Sequence, residues 1–275
     1  MEKPLILLTN DDGIRSPGLW AAAEALSVIG FVHVVAPRDQ FSGAGRSLPS
    51  TSTGIIQPQQ VQINGKEWTV YSISSSPAQA VLHGVLEILP ARPCLVVSGI
   101  NYGENVGTGI TISGTVGAAL EAASIGIPAL AISLETEQQL HLSYSKDVDF
   151  STAAYFTALF GQILLAHSMP PDVHLLKVDV PALATRDTPW EVTRVSPTRY
   201  YEPLAPVRTS WDVPGPVGYR VSGDIAQEPP DTDVYALRVK NVVSVTPISL
   251  DMTSRVERQE LEELLKRVLP ANHDS

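Results

Sequence analysis

Two adjacent carboxylates close an apolar run near the start of the chain, in the order Thr9-Asn10-Asp11-Asp12-Gly13 after Leu5-Ile6-Leu7-Leu8. In an extended strand, neighbouring side chains point to opposite faces. In a turn ending at Gly13 the two carboxylates can converge, and converged carboxylates repel unless a cation or a proton sits between them. The same residue types also make an ordinary N-cap and turn, so this cluster by itself supports a cation site and a simple turn equally. Three further polar clusters also follow strand-like runs. In Ala36-Pro37-Arg38-Asp39-Gln40-Phe41-Ser42-Gly43-Ala44-Gly45-Arg46-Ser47, the glycines let backbone N–H groups approach an anion, and Arg46 has the fork that pairs with phosphate. Ser98 to Gly109 holds four glycines and two asparagines, the texture of a long binding loop at a strand end. Ser113-Gly114-Thr115-Val116-Gly117 opens a helix whose first N–H groups offer a seat for phosphate, or simply a Ser cap.

The missing motifs narrow the chemistry. The histidines at 33, 83, 141, 167, 174 and 273 show no metal-ligand spacing and read as structural or exposed. With one cysteine, zinc has few ligands, and the Asp and Asn oxygens favour magnesium or manganese. No Walker lysine follows Ser113, no Gly-x-Ser-x-Gly elbow occurs, and no Gly-x-Gly-x-x-Gly opens the first helix.

Repeated strand-helix alternation positions these clusters. Leu5–Leu8, Phe31–Ala36, Cys94–Val97, Ala129–Leu134 and His174–Val180 read as buried strands, the third stopped by Ser98-Gly99. Leu19, Ala22, Ala23 and Leu26 are spaced for a helix over 17–29 that stops at Gly30. Pro77 after Ser76 starts another helix running to about Leu89, Ser113 caps one through Ala123, and 151–166 is a fourth. The fold class is therefore α/β, a mostly parallel sheet with helices on both faces and ligands at the carboxyl ends of its strands. Residues 1–180 form this core, and 181–275 read as an extension of the same domain. Residues 181–230 hold 9 of the 22 prolines, with Tyr200, Tyr201, Trp211 and Tyr219 interspersed, the texture of an ordered arm or hairpin. Thr253–Leu269 reads as an amphipathic helix, with Val256, Leu261, Leu264, Leu265 and Val268 on one face.

The chain has 275 residues, 44% apolar and 17% charged, which excludes disorder and allows a core without staples. The lone Cys94 excludes a disulfide scaffold and points to a reducing cytoplasm. No run resembles a signal h-region or a membrane span. A formal charge of −10 argues against a stable nucleic-acid partner.

Taken in order, LILLTNDDGIRSPGL at 5–19, VVAPRDQFSGAGRSL at 34–48, VVSGINYGENVGTGITISGTVGAALEA at 96–122, DTDVYAL at 231–237 and VSVTPISLDMT at 243–253 resemble the SurE family of stationary-phase survival nucleotidases. The resemblance implies a Rossmann-like sheet and a phosphatase acting on nucleoside 5′- and 3′-monophosphates with one divalent cation per subunit. It also implies a homodimer or homotetramer that exchanges C-terminal hairpins. Position by position, it implies Asp11, Asp12, Ser42 and Asn101 as metal ligands, with Asn10 and Ser113-Gly114-Thr115 around the substrate phosphate beside Gly43 and Arg46. Asp11 or Asp12 would also take the proton of an attacking water. Two segments depart from the family pattern: Ser75-Ser76-Pro77-Ala78-Gln79-Ala80 replaces Gly-Thr-Pro with a following Asp-Cys, and Ile112 stands where Tyr is common. These bear on base or sugar selection and leave the ligand positions intact. A covalent aspartyl-phosphate route needs carboxylates two apart, and these are adjacent. The remaining alternatives are a nucleotide-binding or regulatory module without turnover and an assembly protein with a degenerate site.

Overall fold

The structure, a computed structural model, describes residues 3–268 apart from 64, 142, 223 and 224. β1 (Leu5–Thr9) leads into α1 (Pro17–Ile29) and β2 (Phe31–Pro37). The antiparallel pair β3 (Ile56–Ile63) and β4 (Lys66–Ile73) precedes α2 (Pro77–His83), whose last turns widen into a π-helix over Gly84–Ile88. There follow β5 (Leu95–Tyr102), α3 (Gly114–Ser124), β6 (Ala129–Leu134), α4 (Ser151–Ala166) and β7 (Leu175–Val180). The remainder supplies β8 (Trp190–Val192), β9 (Tyr201–Leu204), β10 (Gly218–Val221), β11 (Val243–Ile248) and α5 (Arg258–Val268).

One sheet runs in the order β3-β4-β2-β1-β5-β6-β7-β11-β8, parallel from β4 to β7. Period-2 alternation sorts its two faces. Ile6 and Leu8 of β1 pack with Leu19 and Leu26 of α1 and Phe156 and Phe160 of α4, whereas Leu7 packs with Val81 of α2 and Val116 and Ala119 of α3. The expected α1 stripe is buried throughout, and Leu26 is fully enclosed, a burial that contributes roughly 1.5–3 kcal/mol. The Gly30 N–H bonds Leu26 O at 2.9 Å and closes the helix where the sequence indicates. From β1 the chain goes outward through β2 and β4, then returns to β5 on the other side of β1. This reversal opens a crevice at the carboxyl ends of β1 and β5.

Three readings need correction. First, the third strand does not end at Ser98-Gly99. It continues to Tyr102 through a register shift between Ser98 and Asn101, which puts Asn101 opposite Ser133. Gly99 makes this possible: its φ is +134°, and a Cβ there would lie 2.2 Å from Ile132 O. Second, the sheet does not stop at Val180. β11 adds antiparallel beside β7 and β8 adds parallel beside β11, so residues beyond 180 complete the sheet. Third, the late aromatics do not all await a neighbour. Tyr200 is buried with Val106, Val234 and Leu237, and β9 and β10 pair as a hairpin, while Trp211 is 92% exposed. The final helix begins at Arg258 rather than Thr253, with Leu261, Leu264 and Leu265 exposed, and Leu269 lies outside the described residues. Among the described residues no helix is long and apolar enough to cross a membrane.

Candidate active site

Asn10 builds the turn that carries the carboxylates. Its Oδ1 accepts from the Gly13 N–H at 3.2 Å and its Nδ2 donates to Gly13 O at 3.0 Å. Both polar atoms of the Asn10 side chain are thus engaged in the turn, and the residue is fully buried. The turn in turn holds the second cluster, because the Phe41 N–H bonds Asp11 O at 2.8 Å and the Ile14 N–H bonds Pro37 O at 2.8 Å.

Asp11 and Asp12 are 5% and 2% exposed. Burial pushes the Asp11 acid up, although the Thr115 hydroxyl and the nearby amides of Gly114 and Thr115 pull against it. Burial first, and then the charge of Asp11, push Asp12 well above the usual carboxylate range. Asp12 Oδ1 accepts from Gln40 Nε2 at 3.0 Å and Oδ2 from the Tyr102 N–H at 3.2 Å. The Tyr144 hydroxyl reaches Asp12 O at 2.6 Å, with the Arg15 guanidinium 5.4 Å above the Tyr144 ring. Burial and the Asp12 charge push the neighbouring Tyr102 phenol up to about 12. Among the described residues no ion pair joins either carboxylate to a cationic side chain.

A cavity of about 420 Å³ opens beside Asp11, with Ser42, Gly43, Asn101 and Ser113 also on its wall, whereas Asp12 does not line it. Asn101 Nδ2 donates to Gly103 O at 2.7 Å and to Tyr102 O at 3.2 Å, which leaves its Oδ1 as the acceptor. Among the described residues no three His, Cys, Asp or Glu side chains converge. A cation here would take two carboxylates plus neutral hydroxyl and amide oxygens. The crowding of two buried negative groups fits such an ion, and the all-oxygen donors suit a hard one.

The remaining expected contacts are placed differently. Thr115 Oγ1 donates to Asp11 Oδ1, and Gly114 is pressed so close that a Cβ would lie 2.7 Å from Asp11 Cβ. The start of α3 therefore addresses Asp11, with Ser113 on the cavity wall and its Oγ capping the Val116 N–H at 3.1 Å. Arg46 does not face the cavity: its Nε bonds Glu121 Oε2 of α3 at 2.6 Å, because that buried carboxylate needs a cation. Ser76 and Gln79 form a reciprocal cap on α2 and hold Ser47 O and Pro49 O at 2.6 and 3.1 Å. This cap anchors the glycine-serine loop.

Part of the cavity wall was not apparent from sequence. Glu104, His141, Arg199, Tyr201 and Tyr219 line it. His141, read as structural or exposed, is a wall residue: its Nδ1 meets Tyr219 Oη at 3.0 Å, and burial pushes its pKa down, favouring the neutral ring. The Gly-rich loop is fixed from below by a fully buried trio. Lys177 Nζ lies 2.5 Å from Asp179 Oδ2 and 3.2 Å from Asp233 Oδ2, and these carboxylates accept from the N–H groups of Asn105 at 2.7 Å and Gly107 at 3.2 Å.

Comparison with known proteins adds an independent line. The family model described as survival protein SurE matches residues 6–202. The 5'-nucleotidase SurE of Thermococcus gammatolerans is 42% identical over 261 residues, covering 94% of this chain and 95% of that protein. That of Methanosarcina barkeri is 39% identical over 269 residues, covering 95% and 98%. The crystal structure of the Sure protein from Aquifex aeolicus superimposes with a TM-score of 0.75 at 31% identity, covering 95% of this chain and all of that one.

Proposed function

The chain belongs to the SurE family, and we propose that it is a divalent-metal-dependent phosphatase releasing inorganic phosphate from nucleoside 5′- and 3′-monophosphates. The observation that carries this reading is the buried Asp11–Asp12 pair at the sheet's crevice, of which Asp11 shares a cavity wall with Ser42 and Asn101. The 5'-nucleotidase name of the relatives supports the 5′ activity, and the extension to 3′ esters rests on the family resemblance.

In this reading Asp11, Asp12, Ser42 and Asn101 hold one magnesium or manganese ion per subunit. When bound, such an ion supplies charge neutralisation at a phosphate oxygen and a lowered pKa for water. The chain's own residues do the rest. Thr115 and the start of α3 fix the Asp11 carboxylate, and Gln40 and the Tyr102 amide fix Asp12. Gly43, with φ +76° and open space where a Cβ would stand, leaves room for a phosphate oxygen against the backbone. One of the two aspartates takes the proton of the attacking water.

Phosphate release from AMP, abolished by chelation and restored by magnesium or manganese, tests the reaction. Turnover that survives exhaustive chelation would overturn the metal assignment, and AMP binding without release would leave a binding module. A melting experiment checks the ion directly. Burial raises both acids, so the metal-free protein favours their protonated forms. That stability is present below the unfolded carboxylate pKa and is lost as pH rises through the folded values. Melting temperature should therefore fall with rising pH without metal, and the cation should restore it, by about 2.7 kcal/mol at a hundred times its Kd. The restoration should shrink on acidification, as protons displace the ion; a cation effect independent of pH would contradict this.

We further place the protein in the cytoplasm as a homodimer or homotetramer. The free Cys94 supports the first, and the exposed Trp211 and Val207, 92% and 98% accessible, support the second. Light scattering at micromolar concentration should give two or four chain masses, and a monomer would refute it.

A further inference from the structure

Glu104 is 3% exposed and lines the same cavity as Asp11, three residues beyond Asn101. Its two carboxylate oxygens are treated differently by the protein. Oε1 accepts from the Tyr200 hydroxyl at 2.7 Å, but Oε2 is buried with no hydrogen-bond partner. The nearest candidate cation, Arg238, is bonded to Glu135. A buried carboxylate oxygen without a donor carries a desolvation penalty that native structures rarely leave unanswered. Around it the cavity turns aromatic. Tyr201 and Tyr219 meet at 80° with centroids 5.3 Å apart, and the Tyr201 hydroxyl bonds Glu104 O at 3.1 Å, so the corner and the acid are one unit. Pro203 and Val217 extend the apolar surface there.

We propose that this is the nucleoside end of the site, with Glu104 Oε2 receiving a ribose hydroxyl and the Tyr201–Tyr219 corner flanking the base. The assignment rests on the nucleotidase reading above and deepens it. A nucleotide carries phosphate, sugar and base, and one cavity is lined by Asp11 with Asn101, by Glu104 and by the tyrosine corner. A buried acceptor suits a hydroxyl donor, and a flat aromatic wall suits a flat heterocycle.

The test compares AMP with its 2′-deoxy and 3′-deoxy analogues, in the metal-loaded protein, by calorimetric binding and by kcat/KM. Removing the hydroxyl that Glu104 receives should lower affinity and kcat/KM by about 10–100-fold, the range for a hydrogen bond to a charged group. Glu104→Gln keeps an acceptor for Tyr200, and Glu104→Ala removes both oxygens. In each, the preference for AMP should shrink markedly, through KM more than kcat. A wild-type protein indifferent to both hydroxyls would overturn the proposal, whether or not the variants fold. So would variants that weaken all three nucleotides in parallel, the mark of a purely structural role. The two readings fail separately. A hydroxyl preference in binding without phosphate release sinks the phosphatase and keeps the subsite, and equal release from all three does the reverse.

Discussion

Asp11→Asn is expected to slow phosphate release from AMP by about 10²-fold, roughly 2.7 kcal/mol of barrier, while raising the melting temperature of the metal-free protein. The two effects have one cause. Asp11 is enclosed, its acid is pushed up by burial, and its charge pushes Asp12 up further. Removing that charge relieves a repulsion the fold otherwise tolerates, and it also removes one of the two anionic groups available to a cation. Volume is unchanged, which matters because Gly114 leaves no slack: its Cβ position is 2.7 Å from Asp11 Cβ. The amide oxygen still accepts from Thr115, so the start of α3 stays seated. Phosphate assays over a manganese titration, with melting curves at each step, read both signs. If the turn were only a cap, the variant would turn over normally, resist chelation and melt unchanged. Slow turnover with a lowered melting temperature would instead point to a folding defect and remove the charge-crowding argument.

The grouping of Asp11, Ser42 and Asn101 on one cavity wall was legible because these residues are few, polar and tied to strand ends. Asp11 and Ser42 come from separate loops and Asn101 from the end of β5, yet each follows an apolar run whose parallel pairing delivers it to the same sheet edge. Arg46 pairs with Glu121, 75 residues away, a contact that sequence does not foretell, because an arginine beside glycines suits a phosphate as well as a carboxylate and only packing decides. Glu104 and the tyrosine corner were invisible for a similar reason: the loop after β5 meets a hairpin about 100 residues later. In the fold, β1, α1, β6 and α4 follow from periodicity, whereas β3 carries Pro58 and four glutamines on a largely exposed edge and shows no alternation. A proline such as Pro247 disfavours an interior strand, yet it lies within β11. It is accommodated because β8 pairs only as far as Val245 and leaves that side open.

The largest stability effect is expected at Lys177, which no motif marks. Lys177→Met keeps the length of the side chain but leaves Asp179 and Asp233 facing each other, fully enclosed. Breaking a buried charged group in this way costs about 3–5 kcal/mol, or roughly 6–20 °C of melting temperature in a chain of this size. Burial pushes Lys177 down, but the two carboxylates outweigh it and hold the ammonium charged. Burial already pushes Asp179 up, with Lys177 the main counterweight, so without the ammonium Asp179 should rise further. The variant's deficit should then be smallest in acid, where Asp179 takes a proton, and grow as pH rises through its folded value. The damage should also reach the active site. Asp179 and Asp233 hold the Asn105 and Gly107 amides of the loop that begins at Asn101, so cation affinity should fall although Lys177 touches no part of the cavity. Adding Asp179→Asn to Lys177→Met should recover much of the stability, because an amide oxygen still accepts from Asn105 and one buried charge is gone. A Lys177→Met protein that melts like the wild type at neutral pH would show that the trio is not the loop's anchor.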